Sequence, residues 1–256
     1  MRQVVVTGAS SGIGAALAAA LAAGGCEVFG LDRTPEMPVG VRPVLCDLTD
    51  PSAIRAAVGN LPERVDGLAN IAGVPGTAPP GVVMAVNVLG LRRLTEALTD
   101  RIPSGGAIVH LSSLAGYRGI ASDEDAGFLL AAPDEAVLSW VQRRGLAGPE
   151  AYQLSKQLVI RYAAALAVRL LPRGVRCSSV SPGPVETPIL GDFQATMEGV
   201  DKAAALVGRH GRAEEVAAAV NFLLSPESSW VNGIDLRADG GLLAVRAAMA
   251  GAAQQG

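Results

Sequence analysis

The stretch Val4-Val5-Val6-Thr7-Gly8-Ala9-Ser10-Ser11-Gly12-Ile13-Gly14 decides the fold of this chain. Its opening residues predict a buried strand, and the Ala- and Leu-rich run at 15–23 predicts a helix directly after the glycines. Free backbone N–H groups and the positive end of the helix dipole then meet at one turn, where glycines allow a pyrophosphate to approach closely. A short glycine pattern alone also fits an ordinary tight turn. A second strand, predicted at 28–31, ends in Asp32, where a carboxylate can accept the ribose hydroxyls of a dinucleotide.

The composition predicts one large domain. The chain has 256 residues, of which 50% are hydrophobic and 18% are charged. A formal net charge of -3 gives no basic surface, so we expect no nucleic-acid partner. We assign residues 1–245 to the domain and expect a frayed tail at 246–256.

Cysteine usage and hydropathy predict a cytoplasmic protein. Cys26, Cys46 and Cys177 show no C-x-x-C spacing, which favours reduced structural thiols. The first strand follows Met1 almost at once, so we expect no signal peptide. No apolar run approaches the roughly 18 residues of a membrane span.

Strand and helix patterns alternate along the chain. Strands are predicted at residues 4–6, 28–31, 41–46, 66–73 (breaking into a glycine turn), 106–112, 175–180 and 234–237. Helices are predicted at 15–23, from Pro51, and at 82–101, 149–171 and 214–224. This alternation predicts an α/β fold: a single doubly wound (Rossmann-type) parallel sheet of about seven strands with helices on both faces. Ligands bind beyond the carboxyl ends of such strands, which gathers these residues on one rim: Gly12, Asp32, Asp47, Asn70, Ser113 and Pro182.

Tyr152 and Lys156 lie four residues apart near the start of a predicted helix, so their side chains share one face. A nearby ammonium and the helix N-terminus favour the phenolate and lower the pKa of a tyrosine, which suits a general acid or base. Ser113, after the fifth strand, can donate a hydrogen bond to a substrate oxygen. The alternatives are a surface Tyr/Lys pair and a serine that only caps the strand end.

Together these motifs resemble those of the short-chain dehydrogenase/reductase family along nearly the whole chain. The matching positions are the turn from Thr7 to Gly14, Asn70-Ile71-Ala72-Gly73, Asn87, Ser113, the pair Tyr152 and Lys156, and Pro182-Gly183 with Val185 and Thr187.

The resemblance implies a hydride transfer between a nicotinamide and a carbinol carbon. It implies that Tyr152 exchanges the hydroxyl proton and that Ser113 positions and polarises the oxygen. Lys156 is expected to hold the nicotinamide ribose and lower the pKa of Tyr152, while Asn87 supports a water that links Lys156 to solvent. The implied cofactor contacts are Gly8, Ser10, Ser11, Gly12, Ile13, Gly14, Asp32, Arg33, Cys46, Asp47, Leu48, Asn70, Ala72, Gly73, Tyr152, Lys156, Pro182, Gly183, Val185 and Thr187.

Electrostatics favour NAD over NADP. Asp32 repels a 2′-phosphate and accepts the ribose diol of NAD. Ser11 stands where family members that prefer NADP often carry a basic residue. Arg33 argues the other way, because its side chain can reach a phosphate.

Two spacings depart from the family. Only 14 positions separate Gly73 from Asn87, so we expect a trimmed helix after strand four. Ser113 and Tyr152 lie 39 positions apart, which indicates a helical insertion at about 117–148. We expect two short helices there, which cover the substrate mouth, cover the helix surfaces by which family members commonly pair, or only decorate the surface.

This combination is similar to the branch that contains bacterial 3α-hydroxysteroid dehydrogenase/carbonyl reductase and coniferyl alcohol dehydrogenase. It implies a secondary or benzylic-type alcohol with a hydrophobic body. We expect residues 189–207 to close the pocket, where Phe193, Met197 and Leu206 contact the ligand or simply pack.

The sequence thus predicts an NAD-dependent alcohol dehydrogenase or ketone reductase that forms a homodimer or homotetramer. The alternatives are a non-catalytic dinucleotide-binding sensor, which would have no need of the full set Asn87, Ser113, Tyr152 and Lys156, and an epimerase or dehydratase on the same fold. We expect no metal site, because His110 and His210 are far apart in the chain and suit packing or surface roles.

Overall fold

The computed structural model describes residues 1–197 and 199–253. Along these residues the strands and α-helices are, in order, β1 (Gln3–Thr7), α1 (Gly12–Ala23), β2 (Glu27–Asp32), β3 (Val41–Leu45), α2 (Pro51–Gly59), β4 (Gly67–Asn70), α3 (Pro80–Met84), α4 (Leu91–Thr99), β5 (Ala107–Leu111), α5 (Asp123–Ala131), α6 (Asp134–Arg143), α7 (Gly148–Leu170), β6 (Arg176–Pro182), β7 (Val185–Glu186), α8 (Leu190–Thr196), α9 (Val200–Val207), β8 (Gly211–Arg212), α10 (Ala213–Leu224), β9 (Asp235–Ala238) and α11 (Leu242–Ala253).

Seven parallel strands form the central sheet in the order β3-β2-β1-β4-β5-β6-β9. The predicted doubly wound parallel sheet is therefore confirmed. The chain changes direction across the sheet between β1 and β4, which pair with each other, and a crevice opens at such a point. The short strands β7 and β8 pair separately.

Both faces of the sheet are buried. Side chains alternate between the two faces along each strand, and helices cover both faces. Val5 belongs to the core on one face, which α2, α4 and α7 cover. Val4 and Val6 belong to the core on the other face, which α1 and α10 cover. Burial on both faces explains why β1 is an unbroken apolar run rather than an alternating one.

The helix predicted at 82–101 starts earlier and is not uniform. Helix α3 runs directly into a π-helical segment, Ala85–Gly90, which continues as α4. A Cβ on Gly90 would stand 2.3 Å from the carbonyl oxygen of Leu48, so this segment lies against the loop after β3. Asn87 lies in the middle of the π-helical segment.

The C-terminal segment is helical where the sequence predicted a frayed tail. Asp239 caps α11, since its carboxylate accepts hydrogen bonds from the backbone N–H groups of Gly241 (2.9 Å) and Leu243 (3.0 Å). Leu242 is buried and anchors the first turn. The prediction was based on the small residues of the segment. The sequence pattern did not show that Asp239 caps the helix and that Leu242 is buried. Residues 254–256 lie outside the described part of the chain.

The insertion before α7 forms two helices, α5 and α6. Their buried side chains form one cluster with residues of α3, the π-helical segment and α7, and Trp140 is its largest member. Arg92 of α4 donates hydrogen bonds to the carbonyl oxygens of Leu130 (2.9 Å) and Ala132 (3.0 Å) and to Asp134 (2.7 Å). The insertion therefore packs against the outer side of α3, α4 and α7.

Candidate active site

A cavity of about 230 Å³ opens at the carboxyl ends of the central strands. The glycine turn after β1, the ends of β4, β5 and β6, and helices α7, α8, α9 and α11 form its walls. Of the residues expected at the site, those that line it are Gly8, Ser11, Gly12, Ile13, Gly14, Ala72, Gly73, Ser113, Tyr152, Lys156, Pro182, Gly183, Val185 and Thr187. The structure thus brings most of the candidate residues together.

The turn after β1 requires its glycines. Gly8 has a φ of +69°, and a Cβ there would stand 2.9 Å from the Cα of Ala72. A Cβ on Gly14 would stand 2.0 Å from the carbonyl oxygen of Gly8. Ser11 precedes α1 without a side-chain hydrogen bond to the helix amides, which leaves those donors free at the cavity. Bare backbone and free helix amides at one place fit the pyrophosphate of a dinucleotide.

Helix α7 carries Tyr152 and Lys156 into the cavity. Near its start the carboxylate of Glu150 accepts a hydrogen bond from the backbone N–H of Ala147 (2.9 Å) and stabilises the helix N-terminus. Tyr152 is 6% exposed and Lys156 is 4% exposed. The ammonium of Lys156 lies 5.6 Å from the centre of the Tyr152 ring and donates to the carbonyl oxygen of Leu111 (2.9 Å). The two side chains are buried in one site, which rules out a surface pair.

Ser113 caps the segment after β5 and also lines the cavity, and its donation to a substrate oxygen stays a prediction. Its hydroxyl accepts a hydrogen bond from the backbone N–H of Ala115 (3.2 Å), which caps the short 3₁₀ helix Leu114–Arg118, and it also hydrogen-bonds to the phenol of Tyr152. The 3₁₀ helix lies directly on α7, because a Cβ on Gly116 would stand 2.7 Å from the carbonyl carbon of Lys156.

Ser112, which the sequence analysis did not single out, also joins β5 to α7. Its hydroxyl donates to the carbonyl oxygen of Lys156 (2.9 Å). This contact fixes the end of β5 against α7. Because Ser113 follows Ser112 and Tyr152 lies one turn before Lys156, this contact helps to set the distance between Ser113 and Tyr152.

Burial sets the proton affinities of the site. Burial raises the pKa of Tyr152 to about 12, against a smaller lowering by the hydrogen bond with Ser113. Burial also lowers the pKa of Lys156 to about 8. The sequence analysis expected a lowered pKa for Tyr152. The expectation was wrong in direction for the protein alone, because desolvation of the phenolate dominates and the ammonium is bonded to the Leu111 carbonyl.

Asn87 does not line the cavity, and its side-chain contacts lie within the protein. Its Oδ1 accepts from the backbone N–H of Val74 (2.8 Å), and its Nδ2 donates to the Val74 carbonyl (3.0 Å) and to the Ser155 hydroxyl (3.1 Å). A Cβ on Gly73 would stand 3.2 Å from Oδ1 and 3.5 Å from the ammonium of Lys156. Asn87 therefore ties the loop after β4 to α7 next to Lys156, and its expected support of a water that links Lys156 to solvent stays a prediction.

Asn70 faces away from the cavity. Its Nδ2 contacts the hydroxyl of Thr95 (3.0 Å) and Nδ1 of His110 (3.0 Å), and all three side chains are buried. The side chain therefore lies inside the fold, while Ala72 and Gly73 after it reach the cavity. The sequence analysis expected Asn70 at the rim because it is the last residue of a strand. The sequence does not show towards which side of the sheet such a side chain points.

The adenosine side of the crevice lies outside the cavity walls. The carboxylate of Asp32 accepts from the backbone N–H (3.1 Å) and hydroxyl (2.7 Å) of Ser10 and from the backbone N–H of Arg33 (2.7 Å). The Arg33 side chain is exposed beside it. This arrangement fixes the carboxylate at the end of β2.

The loop after β3 lies next to Asp32. The backbone N–H of Cys46 donates to the Asp32 carbonyl (2.8 Å), and Cys46 and Leu48 are buried. The Asp47 carboxylate accepts from the backbone N–H and the hydroxyl of Thr49, each at 2.8 Å. The three residues therefore adjoin the adenosine side but do not line the cavity.

The outer wall of the cavity is largely apolar. Phe193 and Met197 line it, and the Phe193 ring lies 5.2 Å from the Tyr152 ring at an angle of 54°. Leu206 does not line it and is partly exposed, so of the two alternatives for this residue the structure does not favour a ligand contact. Sequence reasoning missed Arg118, at the end of the 3₁₀ helix, and Arg246 of α11, which line the cavity as well. Arg246 gave no signal because its segment was expected to be frayed.

The insertion helices stay away from the cavity. Among the described residues from 120 to 146, none lines it. Of the three alternatives for the insertion, the structure therefore does not favour a cover over the substrate mouth, because these helices lie on α4 and α7.

Other site types are absent from residues 1–197 and 199–253. No group of three or more His, Cys, Asp or Glu side chains there is arranged to hold a metal ion. Within the same residues, every helix is too short or too polar to cross a bilayer.

Comparison with known proteins assigns the chain to a family. Residues 2–123 match the family model described as short chain dehydrogenase, and residues 136–243 match the one described as Enoyl-(Acyl carrier protein) reductase. Coniferyl-alcohol dehydrogenase from Pseudomonas sp. (strain HR199 / DSM 7063) is 41% identical over 249 residues, which are 94% of this chain and 96% of that protein. The chain belongs to the short-chain dehydrogenase/reductase family.

Other family members agree over their whole length. The 3-alpha-hydroxysteroid dehydrogenase/carbonyl reductase of Comamonas testosteroni is 31% identical, over 96% of this chain and 98% of that protein. The crystal structure of 3-alpha-hydroxysteroid dehydrogenase from Pseudomonas sp. B-0831 complexed with NADH superimposes with a TM-score of 0.87 at 33% identity, covering 96% of this chain and 98% of that one. A short chain dehydrogenase from Burkholderia cenocepacia J2315 in complex with NADP gives a TM-score of 0.74 at 28% identity, covering 94% and 98%. The chain is thus a short-chain dehydrogenase/reductase-type oxidoreductase whose relatives include alcohol dehydrogenases, and such enzymes bind a nicotinamide dinucleotide.

Proposed function

We propose that this protein is an NAD-dependent dehydrogenase that interconverts a secondary or benzylic-type alcohol with a hydrophobic body and the corresponding carbonyl compound. One observation carries the proposal. The Tyr152 phenol, the Ser113 hydroxyl and the Lys156 ammonium share one cavity with a glycine turn on one side and Phe193 on the other.

The proposed chemistry divides between cofactor and protein. A nicotinamide held at the glycine turn and beside Lys156 would supply the hydride acceptor for the carbinol carbon, or the hydride donor for the carbonyl carbon. In the oxidation direction the phenolate of Tyr152 takes the hydroxyl proton, and in the reduction direction the phenol gives it back. Ser113 donates a hydrogen bond to the same substrate oxygen, where charge develops.

Lys156 acts on the proton step through its charge. A buried phenol with a pKa of about 12 stays protonated at neutral pH and cannot take up a proton, so Tyr152 needs a positive neighbour to form its phenolate. The ammonium lies 5.6 Å from the ring centre, within the range in which an opposite charge favours ionisation. The same ammonium, at the cavity wall, is the proposed donor to the nicotinamide ribose. Asn87 holds the neighbouring loop in place.

Asp32 supports NAD as the cofactor. Its carboxylate is fixed by Ser10 and Arg33 amides at the end of β2, where a 2′-phosphate would meet a negative charge. The hydroxysteroid dehydrogenase complexed with NADH is a relative of similar fold, although a second relative carries NADP.

The substrate class rests on the cavity wall and on the relatives. Phe193, Met197, Leu114 and Val200 offer apolar contacts near Tyr152. Relatives named for coniferyl alcohol and for 3-alpha-hydroxysteroids both act on alcohols with a hydrophobic body.

A panel of hydroxysteroids, aryl alcohols and small ketones, followed by nicotinamide absorbance at equal NAD and NADP concentrations, tests the proposal. We expect turnover with at least one hydrophobic alcohol, higher with NAD. Tyr152→Phe should lower kcat/KM by at least about a hundredfold, because the proton carrier is lost. Unchanged turnover in Tyr152→Phe would contradict the mechanism.

The same assay separates the alternatives. A dinucleotide-binding sensor would bind NADH without turning over any member of the panel. An epimerase or dehydratase would form product without net change in NADH absorbance. Stoichiometric NADH formation is the outcome that the dehydrogenase proposal requires.

We further propose a cytoplasmic homodimer or homotetramer that does not pair through α4 and α7. Helices α5 and α6 cover that side, fastened by Arg92 and by the ion pair of Arg161 with Asp123. Light scattering and cross-linking of the protein with and without residues 120–146 would test this. An unchanged set of subunit contacts after the deletion would discard the role of the insertion in assembly.

A further inference from the structure

The cavity wall carries an unusual balance of charge. Its charged side chains are Arg118, Lys156 and Arg246, and none of the described residues that line it is Asp or Glu. The protein as a whole has a net charge of -3. Positive charge is therefore concentrated at this cavity against the trend of the chain.

The two arginines have no structural duty within residues 1–197 and 199–253. Lys156 is occupied by the Leu111 carbonyl, whereas the Arg118 and Arg246 side chains are exposed and pair with no carboxylate there. Elsewhere in the fold, arginines such as Arg92 and Arg144 are held by Asp134 and Asp125. Two guanidinium groups are thus free to bind a ligand at the cavity mouth.

Backbone geometry directs both side chains to the cavity. Leu242 and Arg246 lie one turn apart on α11 and therefore share a face, and both line the cavity. Arg118 follows Ala115 by three positions in the 3₁₀ helix, where such residues eclipse each other, and both of these line the cavity too. The arginines reach the same space from two separate elements.

Each of these two elements donates hydrogen bonds to one carboxylate. Asp235 accepts hydrogen bonds from the Tyr117 hydroxyl (2.7 Å) and the Ser179 hydroxyl (2.5 Å). Asp239 caps α11 through two backbone N–H groups. Neither carboxylate lines the cavity, so the charged side chains of its wall are all positive.

We propose that the substrate of this enzyme carries a carboxylate at the end remote from its reacting alcohol, and that Arg118 and Arg246 bind this carboxylate at the cavity mouth. The substrate class is then a hydroxy or oxo acid with a hydrophobic body between its two polar ends. Arginine suits this role because its planar fork binds a carboxylate through two hydrogen bonds. The inference rests on the proposed function for the site that it extends.

Binding of non-reacting probes tests the inference without turnover. In the presence of NADH, we would measure by calorimetry the affinities of phenylacetate, 3-phenylpropanoate and 4-phenylbutanoate, each beside its uncharged methyl ester. We expect at least one acid to bind about tenfold or more tightly than its ester, since hydrogen bonds to charged groups exceed neutral ones. The difference should shrink at high salt.

Variants assign the effect to the arginines. Arg118→Ala together with Arg246→Ala should remove the preference for the acid and leave ester binding and NADH affinity unchanged. Arg143→Ala is the matched control, because Arg143 is an exposed arginine of α6 outside the cavity. It should keep the full preference.

Three results would overturn the inference: no acid in the series binds more tightly than its ester, the preference survives loss of both arginines, or the double variant weakens NADH instead of the acid. The last result would assign the arginines to the cofactor. Absence of turnover in a substrate panel extended to hydroxy and oxo acids with a hydrophobic body, together with an arginine-dependent acid preference, would refute the proposed function and leave the carboxylate site standing.

Discussion

The Lys156 ammonium lies 5.6 Å from the centre of the Tyr152 ring, but its hydrogen bond goes to the carbonyl oxygen of Leu111 at 2.9 Å. Both side chains are almost fully buried, and burial moves their pKa values towards the neutral forms. The buried amine is held at a cost in stability near neutral pH, and shifted pKa values of this kind are common at sites that perform acid–base chemistry.

The charge of Lys156 should make stability depend on alkaline pH. The pKa of Lys156 is about 8 in the folded protein and 10.5 in an unfolded chain, so between these values the unfolded state binds more protons. The free energy of unfolding should therefore gain a contribution that rises with pH from about 8, by up to about 1.4 kcal/mol per pH unit. Urea unfolding at pH 8.0, 8.8 and 9.5 would measure it. Lys156→Met should lack this contribution, and equal slopes in the two proteins would contradict the buried, depressed amine.

Asp32 should govern the choice between NAD and NADP. Asp32→Asn keeps the shape of the side chain and one of its two acceptor oxygens, and it removes the charge that faces a 2′-phosphate. We expect the ratio of kcat/KM for NAD to that for NADP to fall by about tenfold or more. The repulsion between a carboxylate and a nearby phosphate amounts to at most several kcal/mol, and part of this repulsion remains after screening by salt. Asp100→Asn, in an exposed carboxylate paired with Arg173, is the control and should leave the ratio unchanged. A preference for NADP in the unmodified protein would refute the argument.

His110 should make the protein sensitive to mild acid. It is fully buried beside Asn70 and Tyr162, and burial lowers the pKa of His110 to about 3. The unfolded state takes up a proton below about pH 6.5 that the folded state refuses, so stability falls as the pH drops towards 3. The expected loss is about 1.4 kcal/mol per pH unit between pH 6 and pH 5.

The matched variant for this prediction is His110→Leu. It removes the titrating group while Asn70 keeps its hydrogen bond to Thr95. Denaturant unfolding at pH 7, 6 and 5 should show a shallower decline in the variant. Parallel declines would mean that other groups cause the acid sensitivity.

Arg92 should hold the insertion on the body of the protein. Arg92→Ala leaves the carbonyl groups of Leu130 and Ala132 without their donor, and we expect a loss of about 2 kcal/mol in the free energy of unfolding. Arg93→Ala removes only a partly exposed ion pair with Asp134 and should cost less than about 1 kcal/mol.

Tryptophan fluorescence reports where the Arg92 variant loosens. Trp140 in α6 is 8% exposed, whereas Trp230 is 99% exposed, so a Trp230→Phe background isolates the signal of the insertion. In that background Arg92→Ala should shift the Trp140 emission to the red before global unfolding. An unshifted spectrum would show that the cluster around Trp140 holds the insertion without Arg92.

Local chemistry explains what the sequence could predict. The glycine turn was predictable because its constraint is largely local. A Cβ on Gly14 would collide with the carbonyl oxygen of Gly8, a few residues earlier in the chain, so only glycine is tolerated there. The sharing of one face by Tyr152 and Lys156 follows from helical periodicity alone. The alternation of apolar runs with helical patterns was enough for the parallel sheet.

Contacts between distant parts of the chain decided the rest. Asn70 faces inward because Thr95 and His110 receive it there, and both are far from it in sequence. Asn87 connects the loop after β4 to α7, because the π-helical segment brings its side chain to Val74 and Ser155.

The sequence by itself determined the fold, the glycine turn and most of the side chains that meet at the crevice, because each depends on spacing within one element or on the order of the elements. Only the tertiary structure decided the direction of the Tyr152 pKa, the placement of the insertion over α4 and α7, and the meeting of Arg118 with Arg246 at one cavity. Burial and charge balance depend on which segments surround a residue. Packing brings together segments that are far apart in the chain, and the sequence pattern does not show which segments these are.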